Sequence, residues 1–114
     1  MSQFSIYCKD KLVGHSKLES SDPPMGVAFG DFIPNNTYED VKPEIVVSYG
    51  HQEHLELKVF TESGKQIPCI AVAIQDNTAE LPEWLIVEVL GIPYPEYEEI
   101  FPQHVEAYKN KFKK

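Results

Sequence analysis

The sequence predicts an α+β fold: a twisted, mostly antiparallel sheet of about six strands, with a short middle helix and a C-terminal helix packed on it. Three observations lead there. Short runs rich in β-branched and aromatic residues recur between turn residues. Helix signals occur in only two places, one central and one C-terminal. The resulting order is strands, helix, strands, helix, unlike the strict strand–helix alternation of a parallel α/β sheet.

Each element follows from its residues. Phe4 to Cys8 alternates, Lys9-Asp10-Lys11 breaks it, and Leu12 to Leu18 returns as the second arm of a hairpin. Ser20 to Gly26 predicts a loop, because Pro23 and Pro24 fix φ and lack donors and Gly26 admits backbone that other residues avoid. Val27 to Ile33 predicts a third strand, with Gly30 marking a bulge or a close approach. A helix is expected near Tyr38 to Val47, capped by Asn36 or Thr37, with Glu39 and Asp40 at its positive end and Pro43 kinking or splitting it.

Leu55 to Thr61 alternates and predicts a strand ending in a Ser63-Gly64-Lys65 turn. Ile67 to Ile74 barely alternates, which predicts a central strand covered on both faces. Trp84 to Leu90 predicts a further strand with Leu85, Val87 and Val89 on one side. In the C-terminal segment Tyr97, Phe101, Val105 (with His104), Tyr108 and Phe112 form one apolar stripe. Glutamates open that helix and four lysines close it, and Pro102 kinks it or starts a second one.

The 114 residues fit one domain, residues 1–114. No run approaches the length of a membrane helix, no secretory signal is visible, and the two cysteines sit in apolar runs. A cytoplasmic protein with two buried thiols is the expectation, a Cys8–Cys69 bridge being the alternative. Charge is more informative. The net charge is −8, but Lys109, Lys111, Lys113 and Lys114 lie at the end, so residues 1–106 carry 18 acids against 6 bases, a net of −12. Such a body repels nucleic acid and anionic membranes and attracts a basic protein.

Catalytic motifs are scarce. His51 and His54 are the only close histidine pair, without His-Glu-x-x-His or Cys-x-x-Cys, so exposed loop histidines are expected and no metal or cofactor. Ser5, Cys8, Cys69, His15 and His104 could supply parts of a nucleophilic set, but strand thiols are blunted by burial. Two segments remain. Val89 to Glu99 sets Tyr94 and Tyr97 among Glu96, Glu98 and Glu99, a pattern suited to a basic partner. Asp22 to Phe32 frames an apolar strand with stiff prolines and acids, and Asp22, Asp31, Glu39 and Asp40 form a second candidate patch.

Those segments, DPPMGVAFGDF and EVLGIPYPEYEEIFPQHVEAY, resemble motifs of a family of small uncharacterised bacterial proteins over about residues 3–112, a family to which no activity is attached. In size and charge alone, the chain is similar to the immunity proteins that neutralise bacterial toxins. The expected function is therefore a non-catalytic binding protein that occludes a basic partner such as a toxin domain. The alternatives are a small enzyme or ligand-binding domain using His15, His51, His54, His104 and Cys69, or a self-assembling structural subunit.

Overall fold

The computed structural model describes residues 3–111 and opens with the expected hairpin. Strand alternation sends Phe4, Ile6 and Cys8 of β1 (Phe4–Cys8) inward and leaves Ser5 and Tyr7 half-buried on the other face. After a turn in which Lys9 takes φ 56°, β2 (Lys11–Ser16) pairs antiparallel, with a register shift between Ile6 and Tyr7.

The expected loop from Ser20 is divided. Ser20–Asp22 is a short strand, β3, paired with β4 (Val27–Asp31), and Pro23–Met25 forms one 3-10 turn between them. Ser-Ser-Asp has little strand preference, so pairing with β4 imposes this strand. Gly26 closes the turn at φ 66°, where an added Cβ would lie 2.6 Å from the Ile92 carbonyl oxygen. The predicted third strand also ends early. Phe32 turns into the core, and Ile33–Pro34 becomes β5 against β2.

The middle helix, α1, spans Tyr38–Val47 as expected and continues through Pro43. Its cap differs from expectation. Asn35 Oδ1, rather than Asn36 or Thr37, accepts from the N–H groups of Thr37 (2.9 Å) and Tyr38 (3.2 Å). A 3-10 turn at Glu53–Leu55 takes the start of the next predicted strand, leaving β6 as Leu57–Phe60.

The long apolar run beyond it is not one central strand. The Ile67 N–H donates to the Val59 carbonyl (2.9 Å), the chain crosses at residues 68–70, and β7 (Ala71–Asp76) forms an edge. Alternation is blurred because a β6-flanking stretch and an edge strand meet at Pro68 within one apolar run. β8 (Leu85–Leu90) keeps its predicted alternation, with Val87 and Val89 fully buried. The final helical segment splits at Pro102 into α2 (Glu96–Ile100) and α3 (Pro102–Lys111), with Phe101 non-helical before the proline.

The single six-stranded sheet is thus corrected to two four-stranded antiparallel sheets, ordered β5-β2-β1-β6 and β3-β4-β8-β7. The chain passes between them after β2, β4 and β6. Their facing sides join into one core: Phe4, Ile6, Val13 and Val59 from the first, Ala28, Ile74, Val87 and Val89 from the second. The apolar stripe seals one end of the core. The Phe101 ring stands 5.3 Å from Phe4, 5.4 Å from Tyr97 and 5.2 Å from His104. Phe112 lies outside the described residues.

Two side chains stand in for missing strand partners. Glu19 folds over Gly30, where it leaves no room for a Cβ, and its Oε1 accepts from the Asp31 N–H at 2.8 Å. Buried Gln52 binds the open side of β7: Oε1 accepts from the Ile74 N–H (2.8 Å), while Nε2 donates to the carbonyls of Ile74 (2.9 Å) and Ile45 (3.0 Å). Among the described residues no helix is long and apolar enough to cross a membrane.

Candidate functional site

The structure takes Tyr97 out of the surface of the acid–tyrosine segment and divides its glutamates, keeping Glu98 beside Tyr94 and turning Glu99 elsewhere. Successive residues of a helix point about 100° apart, so α2 scatters its side chains. Tyr97 is fully buried and its hydroxyl donates to the Val27 carbonyl at 2.8 Å. Burial, with Tyr94 and Asp22 nearby, pushes its pKa up to about 12. Tyr94 stays half-exposed, stacked on Tyr97 at 5.5 Å, and its hydroxyl donates to the Pro23 carbonyl at 3.3 Å. Glu98 pairs with Lys109 at 3.6 Å on the α3 side. Glu99 lines a different depression, with Phe4, Thr61 and Lys65, while Glu96 is half-buried.

The second patch also divides, but half of it converges. Asp22, at the far end of β4, pairs in register with Val27, and Asp40 is exposed in the first turn of α1. Asp31 and Glu39, however, face one groove of about 540 Å³ together with Asp76 and Glu83. Among the described residues Lys42 is the only base lining it. The end of β4, the start of α1 and the loop joining β7 to β8 form its walls.

Asp76 organises this groove. Its Oδ2 accepts from the Tyr38 hydroxyl at 2.6 Å, and its Oδ1 accepts from the Thr78 hydroxyl (2.6 Å) and N–H (3.0 Å). Burial alone would raise the carboxyl pKa, but these hydrogen bonds, helped by the Lys42 charge, outweigh it and hold the group below the ordinary aspartate value. Tyr38 is driven the opposite way, chiefly by burial and then by Asp76, so it remains a neutral donor. Asp76 is therefore a fixed negative charge at the base of the groove.

Beside this acidic wall the β7–β8 loop presents an apolar lip. Leu81, Pro82, Glu83 and Trp84 line a shallow hollow, with Leu81 53% and Trp84 41% exposed. Backbone bonds hold the loop in shape, among them Asn77 N–H to the Trp84 carbonyl (2.9 Å), Leu81 N–H to the Asn77 carbonyl (2.8 Å) and Trp84 N–H to the Leu81 carbonyl (2.8 Å). An exposed tryptophan beside fixed carboxylates is the composition of an interaction hot spot.

The candidate catalytic groups are dispersed. His104 is buried in α3 with Nε2 2.7 Å from the Leu18 carbonyl oxygen, and His15 is half-buried on β2 opposite Ser5. His51 is exposed after Gly50, and exposed His54 reaches Glu44 at 3.3 Å. Cys8 and Cys69 are both free, and burial raises both thiol pKa values, so neither is an activated nucleophile. Among the described residues no group of three or more His, Cys, Asp and Glu is placed to hold a metal ion.

Asp76, Glu83, Tyr38 and Thr78 are the groove residues that sequence reasoning missed. Asp76-Asn77-Thr78 announces a turn closed by an aspartate side chain, which signals the local bend but not the α1 tyrosine that meets it. Compared with known proteins, the chain matches no family model, no curated protein and no solved structure.

Proposed function

We propose that this chain is a non-catalytic acidic binding protein whose groove receives lysine or arginine side chains of a basic protein partner, in the manner of an immunity protein occluding a toxin. One observation carries the reading. Asp31, Glu39, Asp76 and Glu83 line a single groove in which Lys42 is the one base among the described residues, next to the exposed Leu81–Trp84 lip. The carboxylates attract a cationic side chain and the lip supplies apolar contact around it, which excludes water and strengthens the charge pairing. The net charge of −12 on residues 1–106 adds long-range attraction that speeds encounter and weakens with salt.

The test compares immobilised wild-type protein with the triple variant D31K/E39K/E83K, in native cell extract at low salt. The expected result is a basic protein held by the wild type, released as salt rises, and retained at least tenfold less by the variant. Circular dichroism checks that the variant is folded. If both proteins retain the same material, or neither retains a basic protein, the reading is overturned.

A further inference from the structure

We propose a second, separate binding site on the outer side of the first sheet, for a small planar anion: an aromatic or heteroaromatic ring carrying a carboxylate or phosphate. The site is a trough of about 510 Å³ lined by Ser5 and Tyr7 of β1, Lys9 and Asp10 of the first turn, and Lys58 and Phe60 of β6. Its volume lies within the range of small-ligand sites.

Strand register builds the trough. Tyr7 stands directly opposite Lys58, and Ser5 opposite Phe60, so these four side chains occupy neighbouring positions on one side of the sheet. The Tyr7 and Phe60 rings meet edge-to-face across the diagonal, with centroids 5.2 Å apart and planes at 74°. This arrangement leaves aromatic surface half-covered on the protein's exterior, available to a third ring.

Charge then selects the ligand. Lys9 and Lys58 are two of only six bases in residues 1–106. Among the described residues neither makes an ion pair. On a body with three acids for every base, two lysines without an ion pair beside an aromatic pair point to a ligand whose ring packs on Tyr7 and Phe60 and whose anionic group reaches the lysines to one side of the rings. Asp10 and Glu62 also line the trough and offset the two lysines in formal charge, so an anion is held only where both ammonium groups converge on it; Glu62 Oε1 is engaged by the Gln3 N–H, from which it accepts at 3.0 Å. The Ser5 and Tyr7 hydroxyls add donors for the same anion. The surrounding negative charge is screened beyond about 8 Å at physiological salt, so a single small anion is admitted. A polyanionic strand spanning the acidic body is repelled, which sets the ligand's size.

The experiment is a two-dimensional NMR titration of the full chain with AMP, 4-hydroxybenzoate, adenosine, inorganic phosphate and a short oligo-thymidine. AMP or 4-hydroxybenzoate is expected to shift Ser5, Tyr7, Lys58 and Phe60 saturably, at least tenfold more tightly than adenosine or phosphate. The K9M/K58M variant should lower that affinity tenfold or more, with the spectrum elsewhere unchanged. Since such a variant leaves the aromatic pair in place, Y7L provides a second readout and should weaken ring-bearing ligands alone. Saturable shifts from neither AMP nor 4-hydroxybenzoate, affinity unchanged in K9M/K58M, or tighter binding of the oligonucleotide would each overturn the site. None of these readouts involves the acidic groove, so this site and the partner-binding reading stand or fall separately.

Discussion

The acid–tyrosine segment around α2 and the acids flanking the start of α1 were both candidate patches in the sequence, yet folding treats them oppositely. In α2 the acids and tyrosines are close in sequence, and the helix turns them apart: Tyr97 into the core, Glu98 toward Lys109, Glu99 toward the loop after β6. At the groove, Asp31 and Glu39 are far in sequence from Asp76 and Glu83, and the packing of three elements brings the two pairs together. Proximity along a helix turn is therefore a weak guide to a shared surface. Convergence from separate elements is what makes one.

The sharpest way to break this comparison is Y97A. If Tyr97 is core, removing its ring should cost about 3–5 kcal/mol, as large aromatic truncations do. A residue serving only recognition would leave the urea midpoint unchanged. A smaller effect is expected from D76N, which keeps the shape but removes one of the oxygens that accept from Tyr38 and Thr78, costing about 1–3 kcal/mol. This variant also has a pH signature. The folded Asp76 carboxyl lies below its ordinary value, so its stabilisation is fully present above the unfolded value near 4 and is lost as pH falls through the folded one. Urea midpoints of the wild type should accordingly fall more steeply below about pH 4 than those of D76N. The smallest effect belongs to E98Q. The Glu98–Lys109 pair is exposed on both sides, so its loss should change stability by less than about 1 kcal/mol. A larger change would mean that α2 and α3 depend on that contact.

Local chemistry explains which parts were legible in the sequence. The opening hairpin, the span of α1, the alternation of β8 and the break at Pro102 all follow from signals within a few residues. The division into two sheets does not, because it depends on where the chain changes partners. Phe32 and residues 68–70 carry those crossings inside apolar runs that look like uninterrupted strands. Ser20–Asp22 was invisible as a strand for the complementary reason, since its structure comes from β4. The site divides along the same line. Asp31 and Glu39 stood out as acids flanking recognisable elements, whereas Asp76 gains its role from Tyr38, 38 residues away.

Gln52 has a consequence for how the molecule behaves among its own copies. Edge strands invite a neighbouring chain to continue the ladder, and β7 is such an edge. With one carboxamide the protein already completes the middle of that edge, at both the N–H and the carbonyl of Ile74. The sheet thus terminates itself, and a crowded solution of this protein has no ready template there on which stacked strands could grow.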